Sequence, residues 1–115
     1  MPQSPSAAGR DRLRGALDLL ILRTLAWGPR HGYAIARWLA TSSQEVIRIE
    51  EGSLYPALHR LERSGLVSSD WQMSELGRPA KIYEITDAGR AHLQEERKAW
   101  LAFAQVVARL LEPAV

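Results

Sequence analysis

Residues 51–67 combine an apolar pattern of helical period with a polar opposite side. Leu54, Leu58 and Leu61 fall on one face of a helical wheel. The residues opposite or beside that face are small, hydrogen-bonding or cationic, and they are Gly52, Ser53, Pro56, His59, Arg60 and Arg63. The segment predicts a short helix that buries its leucines, presents its other face outward and stops at Gly65 before a strand.

Two helices are predicted before this segment. Residues 13–27 are strongly helical in composition, and a Gly-Pro pair ends that helix. Residues 31–41 form the second helix, with apolar positions at helical spacing. Residues 46–49 form a short stretch that is mostly β-branched, and this stretch fits either a small strand or an extended linker.

A hairpin and a long helix are predicted after the segment. Residues 66–73 and 81–85 have the pattern of two strands, and the short loop between them contains Gly and Pro, which favours an antiparallel hairpin. Thr86 is the expected N-cap of a last helix that runs to about Glu112.

The order of these elements predicts a mainly α protein with a small β-hairpin, arranged as a winged helix-turn-helix domain plus a long C-terminal dimerisation helix. Residues 1–10 are expected to form a flexible N-terminal tail, residues 11–86 the winged-helix DNA-binding domain and residues 87–115 the dimerisation helix. In this fold the second helix supports the third, and the third enters the major groove of DNA, which is about 12 Å wide. An ordinary amphipathic surface helix also explains the third helix when it is taken alone.

The last helix carries an apolar stripe that so small a domain cannot cover. The apolar residues of this stripe recur every three or four positions. The first helix is apolar on two sides, so one side must pack on its own domain and the other on a further surface, such as a second subunit. We therefore expect a dimer interface formed by Leu19, Leu22, Leu93, Trp100, Ala104, Val107 and Leu111. Two copies of Trp100 across a two-fold axis would form an aromatic cleft for a flat ligand, and a packed interface tryptophan is the alternative.

Candidate DNA contacts lie on the third helix. Ser53 and Tyr55 sit near its start, where hydroxyls and backbone N–H groups can bind phosphates or base edges. The alternatives are a helix cap for Ser53 and a core-edge aromatic for Tyr55. His59 and Arg60 belong to the outward face, and an intrahelical ion pair is the alternative for Arg60.

Further candidate contacts lie in the hairpin. Arg78 stands between Gly77 and Pro79 at the expected tip, which would direct its guanidinium into a minor groove or onto a phosphate. A solvated arginine is the alternative. Lys81, at the start of the second strand, is a second candidate for a phosphate contact.

Composition narrows the class of protein further. The 115 residues suit one small domain, and the absence of cysteine excludes disulfides and is compatible with a cytoplasmic location. The net charge is +2, but residues 1–41 hold six arginines and two aspartates, so this part either follows phosphates or forms a solvated surface. The longest apolar run, residues 17–27, is too short and too charged to span a bilayer.

No pattern indicates catalysis or a cofactor. The three histidines, at positions 31, 59 and 92, lack metal-ligand spacing, so we expect no metal site. No nucleophile elbow and no glycine-rich phosphate loop is present, so we expect a protein that is not an enzyme.

Three motifs resemble the PadR family of bacterial transcriptional regulators. They are Gly32-Tyr33-Ala34-Ile35, the block Gly52-Ser53-Leu54-Tyr55-Pro56-Ala57-Leu58-His59-Arg60-Leu61-Glu62-Arg63-Ser64-Gly65-Leu66-Val67 and the segment Tyr83-Glu84-Ile85-Thr86-Asp87-Ala88-Gly89. The resemblance spans residues 13–111. It implies a dimeric winged-helix repressor that binds short inverted repeats in promoters and often releases them when a small aromatic compound binds.

The resemblance also implies roles for individual residues. Ser53 and Tyr55 would contact DNA from the third helix, Tyr33 would contact the DNA backbone, Arg78 and Lys81 would form the wing, and Trp100 would lie in the dimer cleft. A single C-terminal helix is typical of the short subclass of the family. Two departures, Ala34 where the family often has glutamate and a lone Lys81 where it often has two basic residues, predict weaker wing contacts.

The expected partners are therefore double-stranded DNA with an inverted-repeat operator, a second copy of the chain and a small aromatic effector, with no membrane. Two other functions fit the same pattern: a winged helix that binds proteins instead of DNA, and a small-molecule-sequestering protein that has lost DNA binding.

Overall fold

Four helices and three short strands follow the order that the apolar pattern predicts, with one strand added. The computed structural model describes the backbone of residues 5–114 and the side chains of residues 15–114. The elements are α1 (Pro5–Leu25), β1 (Arg30–His31), α2 (Gly32–Ser42), α3 (Glu51–Arg63), β2 (Val67–Met73), β3 (Pro79–Ile85) and α4 (Asp87–Leu110). The predicted fold class, mainly α with a small sheet and a long last helix, is confirmed.

The first helix starts earlier than the sequence predicted. α1 begins at Pro5 and not at residue 13, so residues 5–10, which we assigned to a flexible tail, are helical. Proline is tolerated in the first turn of a helix, and the alanines that follow it have the highest helix propensity. The remainder of the predicted tail, residues 1–4, lies outside the described residues.

The hairpin belongs to a three-stranded antiparallel sheet with the order β1-β3-β2. β2 and β3 pair from Val67 opposite Ile85 to Met73 opposite Pro79. β1 adds Arg30 opposite Tyr83 and His31 opposite Ile82. A strand of two residues is too short to show alternation, which is why the sequence did not reveal it. Residues 46–49 form an extended linker and no strand.

The core forms where the three N-terminal helices meet the base of the hairpin. It consists of Ile21, Leu22, Leu25, Ile35, Leu39, Leu54, Ala57, Leu58, Leu61, Val67, Tyr83, Ile85 and Leu93. Leu22 and Leu93 were predicted at the dimer interface, and this prediction is wrong, since both are buried by their own chain, with 0% and 9% of their surface exposed.

The end of α3 sets the direction of β2. Gly65 adopts a left-handed conformation (φ +76°), which costs glycine little. The N–H of Leu66 donates to the carbonyl of Leu61 at 2.9 Å, and that of Gly65 donates to Glu62 at 3.0 Å, which is the Schellman pattern. The chain therefore leaves α3 at a fixed angle, as the glycine in the sequence predicted.

The start of α4 is locked against the same turn. The Thr86 hydroxyl accepts a hydrogen bond from the N–H of Gly89 at 3.0 Å, which confirms the predicted cap, and it donates to the carbonyl of Gly65 at 2.7 Å. A Cβ on Gly89 would lie 2.1 Å from the carbonyl oxygen of Leu66. Position 89 therefore has no room for a side chain.

Replacing Gly89 with alanine is expected to lower the free energy of unfolding by about 2 kcal/mol, because the Cβ would force the backbone of Leu66 to move. Urea denaturation followed by circular dichroism measures the change. Gly52→Ala is the matched control, since its Cβ meets no atom within 4 Å and alanine favours a helix. Equal stability of the Gly89 variant and the native protein would contradict the contact.

Candidate nucleic-acid interface

The outward face of α3 follows from the burial of its leucines. Leu54, Leu58 and Leu61 are buried, whereas Ser53 and His59 on the other side are exposed. The N-cap of α3 is Glu50, so the alternative role of Ser53 as a helix cap is wrong. Ser53 lies in the first turn, where its N–H donates to the Glu50 carbonyl at 3.0 Å, and its side chain faces solvent.

A groove runs between the start of α2, the exposed side of α3 and the hairpin. This α3–wing groove has a volume of about 610 Å³. Its walls are His31, Gly32, Tyr33, Tyr55, His59, Trp71, Ser74, Pro79, Ala80, Lys81 and Tyr83. Four residues that were predicted to contact DNA from separate segments, Tyr33, Tyr55, His59 and Lys81, thus meet in one place. Ser53 and Arg78 do not line the groove.

Tyr55 connects the groove with the domain interior. Its ring packs on Gly32, where a Cβ would come within 2.8 Å of Tyr55 Cε1. The side chain is 36% exposed, so the predicted alternative of a core-edge aromatic describes part of its surroundings, and the rest of the side chain faces the groove. Tyr33, which follows Gly32 on α2, is 63% exposed.

Lys81 is held inside the groove by neighbouring groups. Its Nζ lies 3.6 Å from Glu62 Oε1 and sits over the rings of Tyr83 and Trp71, 5.6 Å and 6.0 Å from their centroids. The second carboxylate oxygen of Glu62 accepts a hydrogen bond from the Ser69 hydroxyl at 2.7 Å. Glu62 therefore joins α3 to both long strands, and Lys81, the predicted phosphate contact, is paired with a carboxylate of its own chain.

Tyr83 adds a neutral phenol to the floor of the groove. Burial raises the pKa of Tyr83 above its ordinary value, and the Glu62 carboxylate and Tyr55 raise it further. The phenol consequently keeps its proton at neutral pH. The fixed charges at this end of the groove are then those of the Lys81–Glu62 pair.

Arg60 ties α3 to α1. Its Nη2 donates to Asp18 Oδ1 at 2.9 Å, and both side chains are about one-quarter exposed. The alternative prediction, an ion pair within α3, is therefore wrong. Arg60 does form an ion pair, but its partner lies 42 residues away on α1. Arg63, which the sequence analysis did not select, is exposed on the same side of α3 and lines a shallow surface with Pro56 and His59.

Arg78 is exposed at a hairpin tip that two hydrogen bonds close. The N–H of Ser74 donates to the Arg78 carbonyl at 2.8 Å, and the N–H of Arg78 donates to the Ser74 hydroxyl at 3.2 Å. Gly77 supplies the left-handed residue (φ +74°) that closes the turn. The guanidinium is thus presented away from the domain, as the sequence predicted for the flanking Gly and Pro.

A second surface of interest is the apolar face of α4, which we define as Trp100, Phe103, Val106, Val107, Leu110 and Leu111. These side chains are between 36% and 78% exposed. The Trp100 and Phe103 rings contact each other, with centroids 6.2 Å apart. Ala104, another predicted interface residue, is also exposed, and Leu19 is half-buried against its own core.

Among residues 15–114, no group of three His, Cys, Asp or Glu side chains is placed to hold a metal ion. Among the helices of the same residues, none has the length and apolarity needed to cross a membrane.

A protein-family match and similar sequences relate this chain to known proteins. Residues 21–95 match the family described as the transcriptional regulator PadR-like family. The chain is 39% identical over 99 residues to "Transcriptional regulator Rv3488" of Mycobacterium tuberculosis, which covers 85% of this chain and 88% of that protein. It is also 30% identical over 102 residues to an uncharacterised protein of Lysinibacillus sphaericus, covering 89% and 94% of the two chains.

Solved structures share the fold over nearly the whole chain. A transcriptional regulator from Clostridium thermocellum superposes with a TM-score of 0.81 at 28% identity, covering 89% of this chain and 99% of that one. A PadR family transcriptional regulator from Eggerthella lenta superposes with a TM-score of 0.76 at 35% identity, covering 95% and 94%.

Proposed function

Because this chain belongs to the PadR-like family of transcriptional regulators, we propose that it is a homodimeric repressor that binds an inverted-repeat DNA operator and is released by a small aromatic compound. In this proposal residues 11–86 form the DNA-binding domain and residues 87–115 the dimerisation helix. The protein acts in the cytoplasm, where promoter DNA is found.

The observation that carries DNA binding is the α3–wing groove beside an exposed helix face. α3 enters the major groove with Ser53 and His59 toward the bases, while Tyr33 and Tyr55 donate hydrogen bonds to backbone phosphates. Arg78 reaches the neighbouring minor groove or its phosphates from the hairpin tip. Hydroxyl and guanidinium donors on three separate elements suit a ligand that passes across all of them.

The internal ion pairs refine the roles of two predicted contacts. Arg60 acts by holding α3 on Asp18, and Lys81 offers a phosphate only the part of its charge that Glu62 leaves uncompensated. Arg63 takes the place of Arg60 as the exposed cation on α3. On α3 and at the hairpin tip, Arg63 and Arg78 are then the exposed cations that attract phosphates.

The apolar face of α4 supports the homodimer. Five large apolar side chains on α4 and a sixth at its C-cap are too many to leave in water, and a second copy would provide the same face as a cover. Pairing through Trp100, Ala104, Val107 and Leu111, with Leu19 at the margin, would hold the two α3 helices about one turn of DNA apart, roughly 34 Å. Leu22 and Leu93 take no part because they are in the core.

The effector site is proposed at the two-fold axis of this dimer. Trp100 is 45% exposed and already contacts Phe103, so two such pairs would enclose an aromatic cleft. A flat aromatic compound in that cleft would lower DNA affinity if it binds better to a dimer whose α3 helices have the wrong spacing.

Promoter binding is tested by titrating the protein with its own promoter duplex and with a random duplex at about 50 and about 200 mM salt. We expect saturable, salt-sensitive binding that favours the promoter.

Arg78→Ala should weaken this binding and reduce the slope of log affinity against log salt by about one, because one phosphate contact is lost. Arg109→Ala, an exposed arginine on α4, is the control that leaves the slope unchanged. Equal affinity for both duplexes would favour the protein-binding function, and an unchanged slope in the Arg78 variant would place that residue in solvent.

Dimerisation is tested with two variants that each add one carboxylate to α4. Val107→Glu is expected to convert the dimer to a monomer in analytical ultracentrifugation, because an unpaired charge in an apolar interface costs several kcal/mol. Gln105→Glu, on the opposite side of the helix, should leave the dimer intact. A native protein that sediments as a monomer, or a Val107 variant that remains dimeric, would contradict the proposed interface.

The aromatic cleft is tested with the planar fluorescent dye 1-anilinonaphthalene-8-sulfonate. The dimer is expected to bind the dye saturably and to lose affinity for promoter DNA as it does so. Trp100→Ala should abolish both effects, whereas Trp27→Phe, at an exposed tryptophan that stacks with Arg23, should retain them. If the Trp100 variant keeps the dimer and the dye response, the cleft assignment is wrong.

A further inference from the structure

One face of the β2–β3 hairpin stays apolar beyond the point where the domain covers it. Side chains alternate between the two faces of a strand, and the face of β2 toward α3 carries Val67, Ser69, Trp71 and Met73. Near the base this face is covered, since Val67 is buried and Ser69 bonds to Glu62 of α3. Toward the tip, Trp71 and Met73 are 65% and 71% exposed. The opposite face of β2 carries the polar residues Ser68, Asp70 and Gln72.

A further exposed apolar side chain stands at the hairpin tip. The N–H of Gly77 donates to the carbonyl of Ser74 at 2.9 Å, so Glu75 and Leu76 are the two central residues of a β-turn. Leu76 is 85% exposed, more than any other large apolar side chain among residues 15–114. Turns favour Gly, Pro, Asn, Asp and Ser, so neither the turn nor the core accounts for a leucine at this position.

We propose that Trp71, Met73 and Leu76 form an apolar wing strip that docks in the minor groove of the operator, where Leu76 inserts between two base pairs and bends the duplex. The inference rests on the proposed function and deepens it in two ways. It adds three residues to those that contact DNA, and it makes the wing deform the duplex as well as bind it.

The apolar wing strip is continuous with the surface that the proposed function gives to DNA. Trp71 lines the α3–wing groove, and so does Lys81, its partner across the hairpin. Met73 pairs with Pro79, another residue of the groove wall, and lies nearer the tip. α3 and the strip therefore border the same groove, so a duplex that holds α3 in its major groove would bring the neighbouring minor groove to the hairpin tip.

The chemistry of the strip suits a minor groove. The walls of that groove are deoxyriboses, which present apolar surface, and proteins that bend DNA there insert leucine, methionine or similar side chains between base pairs. Arg78, two residues after Leu76, is an exposed cation that can reach the nearby phosphates. Glu75 brings a carboxylate to the same turn, so the formal charges of Glu75 and Arg78 cancel and apolar contact must supply much of the attraction at the tip.

The size of the strip argues against a protein as its cover. A stable protein–protein interface buries about 800 Å² on each partner, which requires roughly 20 to 30 residues a side. Three side chains on a narrow hairpin fall well short of that area. A groove about 6 Å wide, by contrast, can enclose a single hairpin tip.

Insertion of Leu76 would give the regulator a selectivity that needs no hydrogen bond to a base. Pyrimidine–purine steps such as TA and CA are the most easily kinked and unstacked. An operator with such a step under the hairpin tip would therefore be bound more tightly than one with a stiff step at the same place.

The test compares the electrophoretic mobility of the full-length protein bound to circularly permuted fragments of its promoter. A bend lowers mobility most when it lies at the centre of a fragment, so the native complexes should differ in mobility. Leu76→Ala should remove most of this difference and weaken promoter binding about fivefold, because the inserted side chain and its apolar contact are lost. Its slope of log affinity against log salt should stay native, unlike that of Arg78→Ala, because no phosphate contact changes.

Two variants of β2 serve as a matched pair. Met73→Ala shortens the strip behind the tip and should weaken promoter binding without changing the salt slope. Gln72→Ala changes the neighbouring residue on the opposite face of the same strand and should keep the native affinity and the native difference in mobility.

The outcomes separate this inference from the function on which it rests. Promoter-specific complexes whose mobility is the same for all fragments, or a Leu76→Ala complex that keeps the native difference, overturn the inference and leave the proposed function standing. Native affinity of Met73→Ala, or loss of the bend in Gln72→Ala, overturns it as well. A change in the sedimentation of free Leu76→Ala protein would show that a second copy covers the strip, which also overturns it. Absence of promoter preference overturns both proposals. Thermal unfolding of each variant verifies that the compared proteins are folded.

Discussion

Burial of the leucine side of α3 is the constraint on which the rest of this structure depends. Leu54, Leu58 and Leu61 expose at most 3% of their surface, and rotating α3 would return that surface to water at about 25 cal/mol per Å². The orientation of the outer face is therefore set by the core and requires nothing from the outer residues themselves. This leaves positions such as Ser53 and His59 free to serve a ligand. The turn at Gly65 then places β2 beside α3, and the groove results from these two constraints together.

Hydrogen bonds and ion pairs fix the position of α3 after burial of its leucines has set its orientation. Arg60 with Asp18 fixes α3 on α1, and Glu62 with Ser69 and Lys81 fixes it on the hairpin. These pairs are partly solvated, so their effect lies in holding positions more than in adding stability. They also remove cations from the surface. A protein that uses Arg60 and Lys81 internally must rely on its other cations and on neutral donors for any contact with phosphates.

The sequence predicts those parts of the fold that have a local signal, such as a periodic apolar pattern, a glycine at a turn or a capping residue. α3, the hairpin and the Thr86 cap were predicted because periodicity, glycines and a capping residue are local signals. β1 has two residues and no periodicity, and it exists because β3 offers an edge to pair with. The Arg60–Asp18 pair joins positions that no local pattern relates, so two charges that look free in the sequence are not. The helical wheel likewise shows that Leu22 and Leu93 are apolar, but it does not distinguish a core that belongs to the same chain from a surface covered by a partner.

In the proposed dimer, the position of α4 would let a preformed surface on each domain combine with an adjustable spacing between the two domains. Gly89 and Leu93 anchor the first two turns of α4, whereas residues 94–114 are exposed. α1 packs against α4 as well as α2 and α3, and it carries the Asp18 that holds Arg60. A change in how two α4 helices pair would therefore move each domain as a unit through α1 and would leave the buried side of α3 undisturbed. In the proposed dimer, an effector at Trp100 would thus act on the distance between two preformed surfaces. A shift from mostly bound to mostly released requires it to favour one distance by about 5.5 kcal/mol.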